Sequence, residues 1–145
     1  MAMTSTYLNF PRNTEEAFNF YKSVFGGDFL DGKINRFGEI PTMEGVPPMA
    51  EEDKNLVMHV ALPILGGHLL MGTDAPESMG FNVTKGNNVY IAIHVDSHSD
   101  ADHFFARLSD GGEIEMPMQD MFWGDYYGAL TDKFGIKWMV NYTSR

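Results

Sequence analysis

The sequence predicts an α+β fold built from two βαβββ halves, and three observations carry that prediction. Each half holds a short strand-like run followed by an amphipathic helix that closes on a glycine pair, Gly26 with Gly27 and Gly111 with Gly112. Residues of the first half recur in the second at regular offsets. The stretch from Met121 to Tyr142 reads as a β-hairpin, with alternating runs at Tyr126 to Thr131 and Ile136 to Tyr142 joined by Asp132, Lys133, Phe134 and Gly135.

In chain order, Tyr7 to Phe10 is a short strand ended by Pro11, which cannot donate to a sheet ladder. Asn13 with Glu16 has capping-box spacing, and Ala17, Phe20, Tyr21, Val24 and Phe25 form one apolar helical stripe. A strand is expected around Asp28 to Phe37. Gly38 to Asn55, with Pro41, Pro47, Pro48, Glu51 and Glu52, should be an irregular excursion, either a functional lid or subunit contact or a disordered surface loop. Leu56 to Leu62 and His68 to Thr73 form a strand pair, Asp74 to Asn88 a linker, and Val89 to Val95 the next strand. Ser99 with Asp102 repeats the capping spacing before the stripe Ala101, Phe104, Phe105 and Leu108.

The repeat can be checked residue by residue. Phe20, Lys22, Gly26, Gly27 and Asp28 match Phe105, Arg107, Gly111, Gly112 and Glu113 at an offset of 85. Tyr7 to Phe10 matches Tyr90 to Ile93 at 83, which requires two extra residues before the second helix. Leu62, Gly67 and Met71 match Leu130, Gly135 and Met139 at 68, the proline-rich excursion absorbing the difference. The expected organisation is one domain over 1–145, with module 1 at about 4–74, a linker at 75–88 and module 2 at about 89–143.

Composition excludes several classes of function. A hydrophobic content of 43% rules out a disordered chain, no apolar run is long enough to span a bilayer, and the N-terminus lacks signal-peptide features. A soluble, cytoplasmic protein is expected. The absence of cysteine excludes disulfides and thiol chemistry. A formal charge of -10 disfavours nucleic acid and anionic membrane as partners, both of which call for a basic patch.

The series YLNF, EEAFNFYKSVFGGDF, VMHV, LLMGTD and MFWGDYYGALTDKFGIKWMV resembles the PhnB-like branch of the vicinal oxygen chelate superfamily, the glyoxalase, bleomycin-resistance and dioxygenase fold. The likeness covers nearly the whole chain. It implies two modules related by a pseudo-twofold axis, a cup for a small molecule and a homodimer. It leaves function open between metal-dependent lyases, isomerases or dioxygenases and metal-free binding proteins. Some PhnB-like members carry methyltransferase names, but this sequence has no glycine-rich strand-to-helix loop of the kind that binds S-adenosylmethionine.

The same resemblance places metal ligands on the first and fourth strands of each module. Those positions carry Met71 and Met139 on the fourth strands, and Tyr7 and Tyr90 on the first. Thioethers and phenols are poor ligands for magnesium, manganese, zinc or ferrous iron, so no metal and no other cofactor is expected. By strand parity Tyr7, Asn9, His59, Met71, Tyr90, His94, Tyr127 and Met139 look into the cup, with Trp123 from the segment leading into the hairpin. This lining suits a planar or apolar ligand. His59 and His94 read as hydrogen-bonding groups or a general base, as structural histidines, or as the core of a noncanonical metal site. Three functions stay open: a metal-independent small-molecule binder, a divalent-metal enzyme, and an interaction module with a filled cup. Asp125 and Asp132 read as turn caps.

Overall fold

Ten regular elements follow one another in a computed structural model that describes residues 2–41 and 44–144. The first module runs β1 (Thr6–Phe10), α1 (Thr14–Phe25), β2 (Asn35–Arg36), β3 (Val57–Pro63) and β4 (Leu69–Asp74). The second runs β5 (Ile91–His94), α2 (His98–Ser109), β6 (Glu113–Asp120), β7 (Asp125–Thr131) and β8 (Lys137–Thr143). Each module makes one four-stranded sheet, in the order β1-β4-β3-β2 or β5-β8-β7-β6, with its first strand parallel to its last. The chain divides into two compact units, 1–83 and 84–145.

One face of each sheet packs on the module's helix. In the first, Ala17, Phe18, Tyr21 and Val24 of α1 are buried with Phe10, Val60, Leu62 and Leu70. Gly72 leaves room for the Phe18 ring, since a Cβ there would lie 2.5 Å from Phe18 Cε1. In the second, Ala101, Phe105 and Leu108 of α2 are buried with Ile93, Leu130, Trp138 and Val140, and Gly128 makes room for Phe105. Each large side chain so buried contributes about 2 kcal/mol. The α1 stripe differs from expectation by a partial turn: Phe18 is fully buried, whereas Phe20 and Phe25 are half-exposed.

Several local expectations are corrected. Asn13 precedes α1, but its side chain makes no capping bond. The first-turn donor Thr14 N is taken instead by Asp74 Oδ1 at 3.0 Å, so the strand that packs on the helix outcompetes the local cap. In α2 the cap is Ser97, whose Oγ accepts from Asp100 N at 3.0 Å, two residues before the expected Ser99. The strand expected around Asp28 to Phe37 shrinks to β2. Leu30–Gly32 turns back there, with Asp31 and Gly32 at φ 60° and 68°, which breaks an extended path. Of the Gly38 to Asn55 excursion, residues 42 and 43 lie outside the described residues. Its ends are tied together by Phe37 N to Leu56 O (3.0 Å) and Gly38 N to Lys54 O (2.8 Å).

The repeat offset of the first strand is also corrected. Tyr7 stands opposite Met71 on β4, and Ala92 stands opposite Met139 on β8. Pairing to the last strand therefore equates Tyr7 with Ala92, not Tyr90, and no extra residues are needed. The shared Tyr identity misplaced the register by two, a shift that preserves which face each side chain takes. The 126–131 and 136–142 hairpin forms as β7 and β8, with Gly135 at φ 89°.

Candidate functional site

The sheet face turned away from the helix is where each module can meet a ligand, and its side chains fall into rows set by strand register. In the first module Asn9 pairs with Thr73, and His59 pairs with Asn35, which makes a polar row. The next row is Tyr7, Met71 and Ala61. Beyond it come Leu69 and Pro63. The Tyr7 and His59 rings stack across the two rows, with centroids 6.1 Å apart and planes 29° apart. A small pocket of about 90 Å³ opens at the β2 side, lined by Asp31, Lys33, Asn35, His59 and Ala61 among others. Tyr7, Asn9, His59 and Met71 are thus brought onto one face, as their parity predicts.

The second module repeats the pattern. His94, Asn141, Tyr127 and Gln119 form its polar row, and Ala92, Met139, Ala129 and Met116 form the row below. The third row departs from the first module: Thr131 pairs with Lys137 and with Glu113, and Glu115 reaches into the same group. Tyr90 lies just ahead of β5 and not on it, yet it joins this row. Its Oη donates to Glu115 Oε2 at 2.9 Å, and Lys137 Nζ sits 5.4 Å from its ring centroid.

Trp123 occupies the turn between β6 and β7, 56% exposed, with its Nε1 donating to Asp125 Oδ2 at 3.1 Å. Asp125 shares the parity of Tyr127, so this bond steadies the indole at the end of the open face. Phe122 beside it is 97% exposed and belongs to no core. Asp132 caps the β7–β8 turn, its Oδ1 accepting from Phe134 N and Ile136 N and its Oδ2 from Trp138 Nε1.

Glu115, Lys137 and Thr131 are polar residues of this face that are absent from the sequence-predicted site. Lys137 shares the face of Met139, two residues before it on β8. Glu115 lies on β6, a strand without bounds among the sequence expectations; it keeps the face of Glu113, and the bulge after Ile114 then brings Met116 onto that face as well. Lys137 Nζ donates to Glu115 Oε1 and, at 2.9 Å, to Thr131 Oγ1. The Lys137 and Tyr90 hydrogen bonds hold the Glu115 carboxyl below its ordinary range, and the Glu115 carboxylate raises both Lys137 and Tyr90.

The donor chemistry does not fit the divalent ion that the fold implies. The matched fourth-strand positions are Met71 and Met139, and the first-strand positions opposite them are Tyr7 and Ala92. Among the described residues, no group of three or more His, Cys, Asp and Glu converges on a point. Also among the described residues, no helix is long and apolar enough to cross a membrane.

Two βαβββ modules, each with one helix on one face of a four-stranded sheet, define a class of α+β proteins. The chain belongs to the glyoxalase/bleomycin resistance protein/dioxygenase superfamily, whose family model matches residues 7–140. It is 30% identical over 144 residues to protein YjdN of Escherichia coli strain K12, covering 94% of this chain and 92% of that one. It superposes on the crystal structure of protein PA1353 from Pseudomonas aeruginosa with a TM-score of 0.82, 30% identity and complete coverage of both chains. A PhnB protein from Bacillus cereus matches with a TM-score of 0.72 and 25% identity, over 98% of this chain and 100% of that one.

Proposed function

We propose that this protein binds a small apolar or aromatic molecule without a metal ion, against the methionine- and aromatic-lined open faces of its modules. One observation carries the reading: Met71 and Met139 hold equivalent register positions, on the strands where the family resemblance implies metal ligands, and each is flanked by alanine, Ala61 for one and Ala92 and Ala129 for the other. A flexible thioether beside small side chains makes an adaptable floor, and Tyr7, Tyr127 and Trp123 supply faces for a planar ligand. His59, His94 and Asn9 then act as hydrogen-bonding handles.

The test is elemental analysis of protein purified without chelator or affinity tag, followed by a thermal-shift screen of aromatic compounds. Substoichiometric metal, no response to added manganese, nickel or zinc, and a raised Tm with selected aromatic ligands are expected. Ligands should also change the emission of exposed Trp123 and leave that of buried Trp138 alone. A stoichiometric ion that is lost in His59→Ala or His94→Ala would overturn the reading in favour of metal-dependent chemistry.

A further inference from the structure

The third row of the second module has the geometry of a ligand anchor. Its members close a ring of hydrogen bonds: Tyr90 Oη to Glu115 Oε2, Lys137 Nζ to Glu115 Oε1, Lys137 Nζ to Thr131 Oγ1, and Thr131 Oγ1 to Glu115 Oε1 at 3.4 Å. The side chains of Lys137 and Glu115 are 13% and 29% exposed, and Tyr90 is 40% exposed, so the group is partly desolvated yet reachable. The sheet does not need such a group to form. In the first module the positions matching Lys137 and Thr131 are Leu69 and Pro63, which pair in the same register.

The hydrogen-bonding capacity left over identifies what the row would take. An ammonium has three N–H groups, of which Lys137 spends two on Glu115 and Thr131. The Tyr90 oxygen donates once and keeps its acceptor lone pairs, and Glu115 Oε2 accepts once and keeps another. One donor thus stands beside two acceptors. The row carries charges of both signs, Lys137 against Glu115 and the Glu113 that pairs with Thr131, so an anionic head would meet the carboxylates and a cationic head the Lys137 ammonium. A neutral head that both donates and accepts meets neither penalty.

We infer that Tyr90, Glu115 and Lys137 form a polar anchor for a neutral hydroxyl or carboxamide head group, whose apolar body lies on the adjoining row of Ala92, Met139 and Ala129. The inference rests on the metal-free binding reading above and names the ligand class for that face. An apolar row beside one that holds charges of both signs selects amphipathic neutral molecules, and the ring of hydrogen bonds pre-positions the anchor before the ligand arrives.

The test uses five matched aromatic probes on the full chain: toluene, phenol, benzamide, benzoate and benzylammonium. Binding is read from methionine methyl shifts by NMR, in the parent and in Lys137→Met, Tyr90→Phe and Leu69→Met, the last as a first-module control. Benzamide and phenol should bind the parent about tenfold tighter than toluene. Lys137→Met and Tyr90→Phe should bring that preference to within about twofold while leaving toluene unchanged, and Leu69→Met should keep it. Should Lys137→Met fail to fold, Tyr90→Phe, which keeps the Glu115–Lys137 pair, carries the test alone. A preference unchanged in Tyr90→Phe and Lys137→Met, or tightest binding of benzoate or benzylammonium, overturns the anchor and leaves the binding reading standing. Failure of every probe, toluene included, overturns both.

Discussion

The two modules share one plan and solve three of its local problems differently. The start of α1 is held by a residue distant in sequence: Asp74, 2% exposed at the end of β4, accepts from Thr14 N and Thr14 Oγ1 through one oxygen and from Val57 N through the other. The start of α2 is held by its neighbour Ser97. The glycine pairs that end the helices look alike and serve different needs. Gly27 has open space around it and sits at φ 76°, whereas a Cβ on Gly112 would lie 2.3 Å from Thr131 O. The third row of the open face is Leu69 and Pro63 in one module and Lys137 and Thr131 in the other. Matching positions in a duplicated fold therefore keep the element and change the cause.

The helix starts should break this comparison most sharply. Asp74→Ala strands two backbone N–H groups and a hydroxyl in a buried site and should cost about 4 kcal/mol. Ser97→Ala removes one exposed cap bond and should cost about 1 kcal/mol. Urea denaturation reads both, and equal losses would show that the two caps matter alike. The glycines come next. Gly112→Ala forces β6 away from the β7–β8 turn and should cost about 3 kcal/mol. Gly27→Ala pays only for a left-handed backbone, about 1 kcal/mol. The reverse order in denaturant midpoints would mean that the close approach at Gly112 relaxes easily.

The smallest effect is confined to alkaline pH and to the second module. Tyr126 Oη donates to Asp102 Oδ1 at 2.5 Å, and that bond, with desolvation behind it, pushes the phenol up to about 12. The folded chain holds this proton more tightly than the unfolded chain. The resulting stabilisation is therefore whole below about pH 10 and is lost as pH rises through about 12. Phenolate absorbance should show Tyr126 titrating late, alongside the Tyr90 that Glu115 also raises, and Asp102→Asn should bring only Tyr126 down towards its ordinary value. The position matching Tyr126 in the first module is Met58, so no counterpart titrates there. An unchanged late titration in Asp102→Asn would remove the hydrogen bond as its cause.

Much of the candidate site could be read from strand parity, because parity survives a shift of two. Tyr7, Asn9, His59, Met71, His94, Tyr127 and Met139 take the face that alternation assigns them, even though Tyr90 was set two residues out of register. Glu115 could not be read in this way, since it lies on β6, which no alternating run delimits in the sequence expectations. Trp123 lies in a turn, where no period applies.

The α1 stripe shows the same limit from the side of packing. Phe20 fits a helical period as well as Phe18 does, and only the glycine opposite, Gly72, decides which ring goes inside. The amino-acid sequence by itself determined the order of elements, the duplication, the open-face methionines and the family, because periodicity and turn chemistry are local properties of the chain. The tertiary structure alone decided which carboxylate caps α1, why Gly112 must be glycine and how Tyr90, Glu115 and Lys137 meet. Each of these depends on groups far apart in sequence whose distance is set by strand pairing.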